Sequence, residues 1–247
     1  VVGNPPYIVV RDAALNAAYR GRYDSCHRQY SLGVPSTERF FELALSGDGT
    51  EKHRSGFVGE ITANSFMKRE FGSKLIEQVL PQLDLTHVID TAGAYIPGHG
   101  TPTVILFGRH QRPVSSEVRT VMGIKREPST LDDPSQGLVW TAILDQVDRA
   151  GSESDFISVS EIERGALSKH PWSIGGGGAG DIKELVETAS ESVLSGVAEV
   201  FGGTGRTSAD DAFVLPAATA ERRTLEGEFV RPLVEGDQVR DWRCEAQ

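Results

Sequence analysis

Asn4-Pro5-Pro6-Tyr7 is the place in this sequence where residue types and their order together ask for a chemistry. With 12 Pro and 5 Tyr among 247 residues, such a tetrapeptide arises by chance in about one chain in 10⁴ of this composition. A residue before proline is pushed out of the α region, so Asn4 and Pro5 are both expected extended. The two prolines also remove two N–H donors, which leaves a stiff turn that offers only acceptors. A turn of that kind suits a planar amine. The exocyclic N6 of adenine is a poor nucleophile because its lone pair is delocalised into the ring. If the Asn4 side-chain oxygen and the Pro5 carbonyl each accept one of its hydrogens, the nitrogen is drawn toward tetrahedral geometry and can face an electrophilic methyl group. A pocket walled off from solvent, or an Asn4 oxygen already committed to an internal partner, would end that reading. Tyr7 would offer a flat face to an extruded base, worth roughly 1–3 kcal/mol, against the few kcal/mol that flipping costs. Alignment would then dominate the rate. The plain alternative is a turn that ends a strand and does nothing else.

Such a turn needs a strand to carry it and neighbours to wall it. Val1-Val2-Gly3 reads as the last residues of a buried strand, so the chain reads as starting partway through a domain. Ile8 to Tyr30 is mixed and carries Arg11, Arg20, Arg22 and Arg28, the pattern of a surface loop or irregular helix outside the core. A helix is predicted from Pro35-Ser36-Thr37 through Phe40, Phe41, Ala44 and Leu45, stopped by Ser46 to Gly49. Gly56 to Thr62 reads as a strand, and Asn64-Ser65 as the cap of a helix with Phe71, Leu75, Val79 and Leu80 on one face up to Pro81. Leu85 to Asp90 and Thr103 to Phe107 read as strands around a glycine-bearing loop, Thr91 to Pro102, and two strands joined without a helix can pair antiparallel.

The alternation predicts an α/β layer with helices on a mostly parallel sheet, whose first β-α-β half is expected upstream of Val1. Arg109 to Asp155 is polar and proline-bearing and reads as a connector with one helix near Leu138 to Val147. Beyond it lie Gly175 to Gly180, a predicted helix from Asp181 to Leu194, a turn at Gly202 to Gly205, and predicted strands at Ala212 to Leu215 and Glu228 to Val230. Gly175 to Gly180 fits G-x-G-x-x-G, but no Val/Ile-rich strand runs into it, and it reads as a flexible loop rather than a phosphate cradle.

Composition narrows the classes. An apolar fraction of 38% with 27 Gly is that of a globular chain. No run of 18 apolar residues and no leader pattern occur, so no membrane partner is expected. Cys26 and Cys244 are far apart in sequence, which fits a reducing cytoplasm and no metal knuckle. The six histidines do not fall at metal-ligand spacing, and neither H-E-x-x-H nor G-x-S-x-G is present. The net charge is −10, which argues against simple coating of nucleic acid. The charge is uneven: residues 1–126 hold 15 Lys/Arg against 12 Asp/Glu, and residues 127–247 hold 10 against 23. Arg22 and Arg28 are candidates for phosphates beside a flipped base, with surface cations as the plain alternative. His99 sits in a loop that could face the substrate.

Asn4 to Tyr7 resembles motif IV of the amino-methyltransferases that use S-adenosylmethionine. Phe40 to Leu45 resembles the helix after that turn, Gly56 to Met67 the next strand and loop, and Thr103 to Gly108 the final inserted strand. Asn64 to Gly72 and Ala94 to Thr103 resemble more narrowly the PglX-type adenine-specific DNA methyltransferases of bacteriophage-exclusion defence systems. The resemblance implies the C-terminal half of a seven-stranded Rossmann-like methyltransferase sheet (residues 1–115), a connector (116–154) and the start of an α+β target-recognition domain (155–247). It implies S-adenosylmethionine as cofactor, bound by a motif upstream of Val1, and double-stranded DNA with a flipped adenine as substrate. Marking of host DNA alongside other phage-defence proteins follows from the same resemblance. Asn4, Pro5, Pro6 and Tyr7 then carry catalysis, and Tyr95 is the candidate for a second flat side chain against the base. The 247 residues alone are expected not to methylate. A non-catalytic nucleic-acid-binding module is the alternative class, and a protein glutamine or an RNA base the alternative substrate.

Overall fold

Alternation along the strands builds two cores, one on each face of a single sheet. The computed structural model describes residues 1–48, 50, 53–98, 100–172, 176, 179–192, 196, 213–228, 230, 231, 239, 240, 243 and 244. The chain divides into two units, Val1–Ala189 and Ser190–Gln247.

In the first unit, six strands lie in the order β1 (Val2–Gly3), β2 (Phe57–Ala63), β4 (Thr103–Arg109), β3 (Asp84–Asp90), β5 (Glu117–Gly123), β6 (Ile157–Glu163). β1 runs parallel to β2, and β3 parallel to β5; β4 is inserted antiparallel between β2 and β3, and β6 is antiparallel to β5. The register lines Ile61, Ile105, Ile89, Val121 and Val159 into one row. Helix α3 (Leu138–Gln146) packs Val139, Ala142 and Ile143 onto the far part of that row. The next row, Glu60, Leu106, Val88, Thr120 and Ser160, points to the other face, because successive side chains alternate. On that face α2 (Gly33–Leu43) and the helical turns between β2 and β3 bury Phe41, Leu75, Ile76 and Trp172. Burial of such side chains contributes roughly 1.5–3 kcal/mol each. Gly3 precedes the motif because Phe40 of α2 lies against it: a Cβ there would stand 2.2 Å from the ring.

β1, β2, β3 and β5 all run the same way, so the segments that follow each of them emerge at one edge of the sheet. This carboxyl edge receives the Asn4–Tyr7 turn, the loop after β3, and the excursion from Ile124 to Phe156 that holds α3. Ligands of open α/β sheets bind at that edge.

Several expectations are corrected. Residues 116–154 are not a connector: Glu117–Gly123 is a strand of the same sheet, paired with β3 and followed by a further sheet strand at Ile157–Glu163. Its Val118, Thr120 and Val121 are buried, a signal masked in the sequence by the flanking prolines and charges. The stretch 8–30 is not wholly outside the core. It is pinched at its base by Leu32 N donating to Ile8 O (2.8 Å) and carries an exposed helix, α1 (Ala13–Arg22), yet Cys26 and Tyr30 are buried. α2 begins at Gly33, ahead of the predicted start, because Pro35 lacks only an N–H that the first turn leaves unpaired anyway. The predicted continuous helix before Pro81 is broken into 3₁₀ turns (Asn64–Met67, Glu70–Gly72, Leu80–Gln82) and a π turn (Leu75–Val79), although Phe71, Leu75 and Leu80 are buried as their spacing implies. The helix after the glycine tract is α4 (Ala179–Ala189).

The second unit contains α5 (Ala217–Arg222) and a short antiparallel pair, β7 (Val239–Arg240) with β8 (Arg243–Cys244). The predicted strands at 212–215 and 228–230 do not form in their described residues. Phe213 is helical, and Val214 and Leu215 run without a partner strand into Pro216, the N-cap of α5. Gly202 to Gly205 lie outside the described residues.

Candidate active site

The turn after β1 keeps Asn4 near solvent. Asn4 and Pro6 are exposed, Pro5 is buried and Tyr7 is half-buried. The Tyr7 hydroxyl donates to Asn4 Oδ1 at 2.8 Å and also stands 3.2 Å from the carbonyl oxygen of Ile61. The oxygen expected to grip an amine is therefore already engaged, by a residue of its own motif. An amide oxygen has two lone pairs and a phenol one hydrogen, so Asn4 retains accepting capacity. Turning the hydroxyl hydrogen to Ile61 O would release the rest. Burial and the neighbouring Glu60 both raise the Tyr7 pKa, so the hydroxyl keeps its proton near neutrality.

Glu60 lies across from Gly3 in the β1–β2 register, is 2% exposed, and neither carboxyl oxygen makes a hydrogen bond. Thr37 donates its hydroxyl hydrogen to Gly33 O (3.0 Å). Burial pushes the Glu60 pKa up to about 7. Glu60 shares a face with Thr62 and the α2 core, away from Ile61.

On the Ile61 face, the carboxyl edge encloses a cavity of about 340 Å³. Its walls are Ile61 from β2, Thr91 and Ala94–Pro97 from the loop after β3, and Pro134, Ser135 and Trp140 from the excursion after β5. Tyr95 is thus brought to a cavity wall, with Ile96 beside it. None of Asn4 to Tyr7 lines this cavity, and Tyr7 meets its wall through Ile61 O. His99 lies outside the described residues. Arg22 and Arg28 are not brought to the cavity: Arg22 makes a two-pronged pair with Glu42 (3.0 and 2.7 Å), and Arg28 pairs with Glu70 (2.8 Å). Trp140, Pro134 and Ser135 were not legible as site residues, because nothing near them in sequence marks that they return to the motif's edge.

Of the carboxylates at this edge, Glu127 accepts the Val139 N–H and Asp133 accepts from Ser135. Asp90 is largely buried and accepts Ala92 N at 2.9 Å, and Glu60 faces α2. Among the described residues no helix is long and apolar enough to cross a membrane.

A proline-stiffened Asn-Pro-Pro-Tyr turn thus stands at the carboxyl edge of an α/β sheet, with an antiparallel strand inserted beside the next parallel one. No protein-family model matches the chain. Along the stretch it spans, the chain is similar to adenine-specific methyltransferase PglX of Streptomyces coelicolor (strain ATCC BAA-471 / A3(2) / M145), with 49% identity over 247 residues. The match covers 98% of this chain and 20% of that protein, so the chain spans about a fifth of the relative's length. Among solved structures, a modification subunit of a putative type I restriction enzyme from Vibrio vulnificus YJ016 is similar with a TM-score of 0.48 at 10% identity, covering 65% of this chain and 33% of that one. The type IIG restriction endonuclease BpuSI is similar with a TM-score of 0.48 at 14% identity, covering 90% of this chain and 27% of that one.

Proposed function

We propose that this chain carries the amine-activating part of a DNA adenine-N6 methyltransferase, which marks cytoplasmic DNA in phage defence alongside other proteins of the same system. The observation that carries this reading is the solvent-facing Asn4 turn standing beside an apolar, aromatic-walled cavity at the carboxyl edge of the sheet. The kinship to PglX supports adenine in DNA over a protein glutamine or an RNA base.

S-adenosylmethionine would supply the electrophilic methyl carbon. The chain's own residues act on the acceptor. Asn4 Oδ1 and the Pro5 carbonyl accept the two N6 hydrogens. The Tyr7 hydroxyl swings from Asn4 toward Ile61 O as the amine arrives, and the Tyr7 ring faces the base. N6 would form its bond to the methyl carbon as that carbon's bond to the donor sulfur breaks and the donor leaves as the thioether, and the proton that N6 then carries in excess would leave to solvent through the exposed side of Asn4. The prolines keep the acceptors in place, so little reorganisation is needed as the charge develops.

The test uses the protein expressed from its natural gene, tritiated S-adenosylmethionine and unmodified bacterial duplex DNA. Label is expected in N6-methyladenine. Asn4→Ala should lower the labelling rate at least about 100-fold while DNA retention stays nearly unchanged. Retention of DNA without any label would favour the non-catalytic nucleic-acid-binding module, and label in protein or RNA would move the substrate.

A further inference from the structure

We propose that Glu60 is a positioning residue for the proposed methyl transfer: its buried side chain closes the layer between β1, β2 and α2 that carries the Asn4 turn. This rests on the reading above and adds a residue that acts on the turn without touching the base. β1 is two residues long, and its pairs with β2 are Val2 with Gly59 and Gly3 with Glu60. The turn is therefore tied to the sheet by a short ladder, with Gly59 N donating to Val1 O at 2.9 Å, and by the Tyr7 hydroxyl beside Ile61 O. On the α2 face of that ladder Gly3 has no side chain, and the Phe40 ring fills the place where one would stand. Glu60 fills the place next to it, buried at the last pair before Asn4.

An apolar side chain would fill that place without an electrostatic cost, so the carboxyl calls for a reason. Among the described residues neither of its oxygens makes a hydrogen bond and no cation acts on it. β4 sets Leu106 opposite. From α2, Thr37 gives its hydrogen to Gly33 O, Glu38 accepts Ser25 N at 2.9 Å, and Arg39 pairs with Glu42 at 3.0 Å. Lys74, from the helical turns after β2, acts on Cys26 instead. Tyr7 is the titratable group that meets Glu60 from the Asn4 turn. Uncharged, the carboxyl packs as a neutral side chain. Charged, it has no partner in the layer, and a buried ion without a partner draws in water or moves toward it. Either response parts β1 from α2 next to Asn4 and Pro5, on whose placement the transfer depends. Burial raises the carboxyl's pKa from 4.5 to about 7, so the anchored state holds in acid and is lost as pH rises through neutrality.

The test measures kcat and KM for duplex DNA against pH in the protein expressed from its natural gene and in Glu60→Gln and Glu60→Met, two side chains of similar length that cannot ionise. Between about pH 6 and about pH 8.5 the wild-type kcat, divided by that of either variant at the same pH, should fall about tenfold, with the KM ratio flat. A kcat ratio that does not change with pH would overturn the proposal, as would a change carried by KM. A second readout needs neither turnover nor a folded variant: wild-type amide exchange at Asn4 and Tyr7, corrected for intrinsic exchange, should speed up as pH rises through about 7. Exchange that quickens along β2 while Asn4 and Tyr7 stay flat would overturn the proposal, because the carboxyl would then steady the strand without holding the turn. Quickened exchange at the turn with no label in DNA at any pH would uphold the anchor and overturn only the catalytic reading.

Discussion

At the scale of residues, the hydroxyl of Tyr7 joins the functional turn to the sheet. It has one hydrogen and two acceptors in reach, Asn4 Oδ1 and Ile61 O, so the empty turn keeps its amide oxygen partly occupied by a group that can withdraw. Glu60, one strand away, is the other unusual group. Burial without a hydrogen bond raises its pKa from 4.5 to about 7, so the carboxyl is neutral in acid and ionises near neutrality. The raised folded pKa means that its contribution to stability is complete below about pH 4.5 and is lost as pH rises to about 7, a loss of about 3 kcal/mol if the unfolded value is the ordinary one. Hydrogen exchange of the β2 amides should therefore speed up in the wild type between pH 5 and 7.5, after correction for intrinsic exchange. Glu60→Gln, which has no charge to gain, should abolish that trend. A corrected wild-type rate that stays flat across the window would refute the assignment.

At the scale of elements, the segment between β2 and β3 is bent to a shape that the 3.6-residue pattern does not specify. The N–H of Leu80 reaches back to Leu75 O, a π-type turn, and 3₁₀ turns lie on both sides. Gly72 lets the chain close on itself there: a Cβ would fall 1.9 Å from the Phe66 carbonyl oxygen. Phe66 in turn meets Trp172 edge-on at 5.8 Å, and Trp172 Nε1 donates to Leu167 O at 2.7 Å. Gly72→Ala should cost about 1–3 kcal/mol or more, because backbone rather than a flexible side chain must move. The thermal midpoint should fall clearly, and a midpoint within error of wild type would show that the turn yields freely. A polar tie holds the opposite edge of the sheet. Buried Asp84 accepts from Gln111 Nε2 (3.1 Å) and Val114 N (3.3 Å) and lies 3.4 Å from Arg164, which joins the start of β3 to the ends of β4 and β6.

At the scale of the whole molecule, a net charge of −10 must be reconciled with the proposed DNA partner. Local cations have to meet the phosphates. Arg22 and Arg28 belong to the excursion that leaves the sheet just after the Asn4 turn, and both are exposed while paired with glutamates. Exposed pairs of this kind are weak, so phosphates can compete for the guanidinium groups. The double substitution Arg22→Gln with Arg28→Gln should weaken DNA retention at low salt and reduce the slope of log affinity against log salt by up to about 2. An unchanged slope would remove both residues from the DNA-contacting set.

The sequence by itself determined the turn, the strand order through residue 109 and the inserted strand, because proline geometry and short-range alternation are local properties. The narrow likeness of residues 64–72 and 94–103 to the PglX-type enzymes was legible for the same reason. Tertiary structure alone decided that β5 and β6 extend the same sheet, since strand pairing is a long-range event that a proline-flanked run such as Glu117–Gly123 does not announce. It also decided that Trp140 shares a cavity with Tyr95. That meeting depends on the direction of β5, parallel to β3, which brings residues more than forty positions apart to one edge.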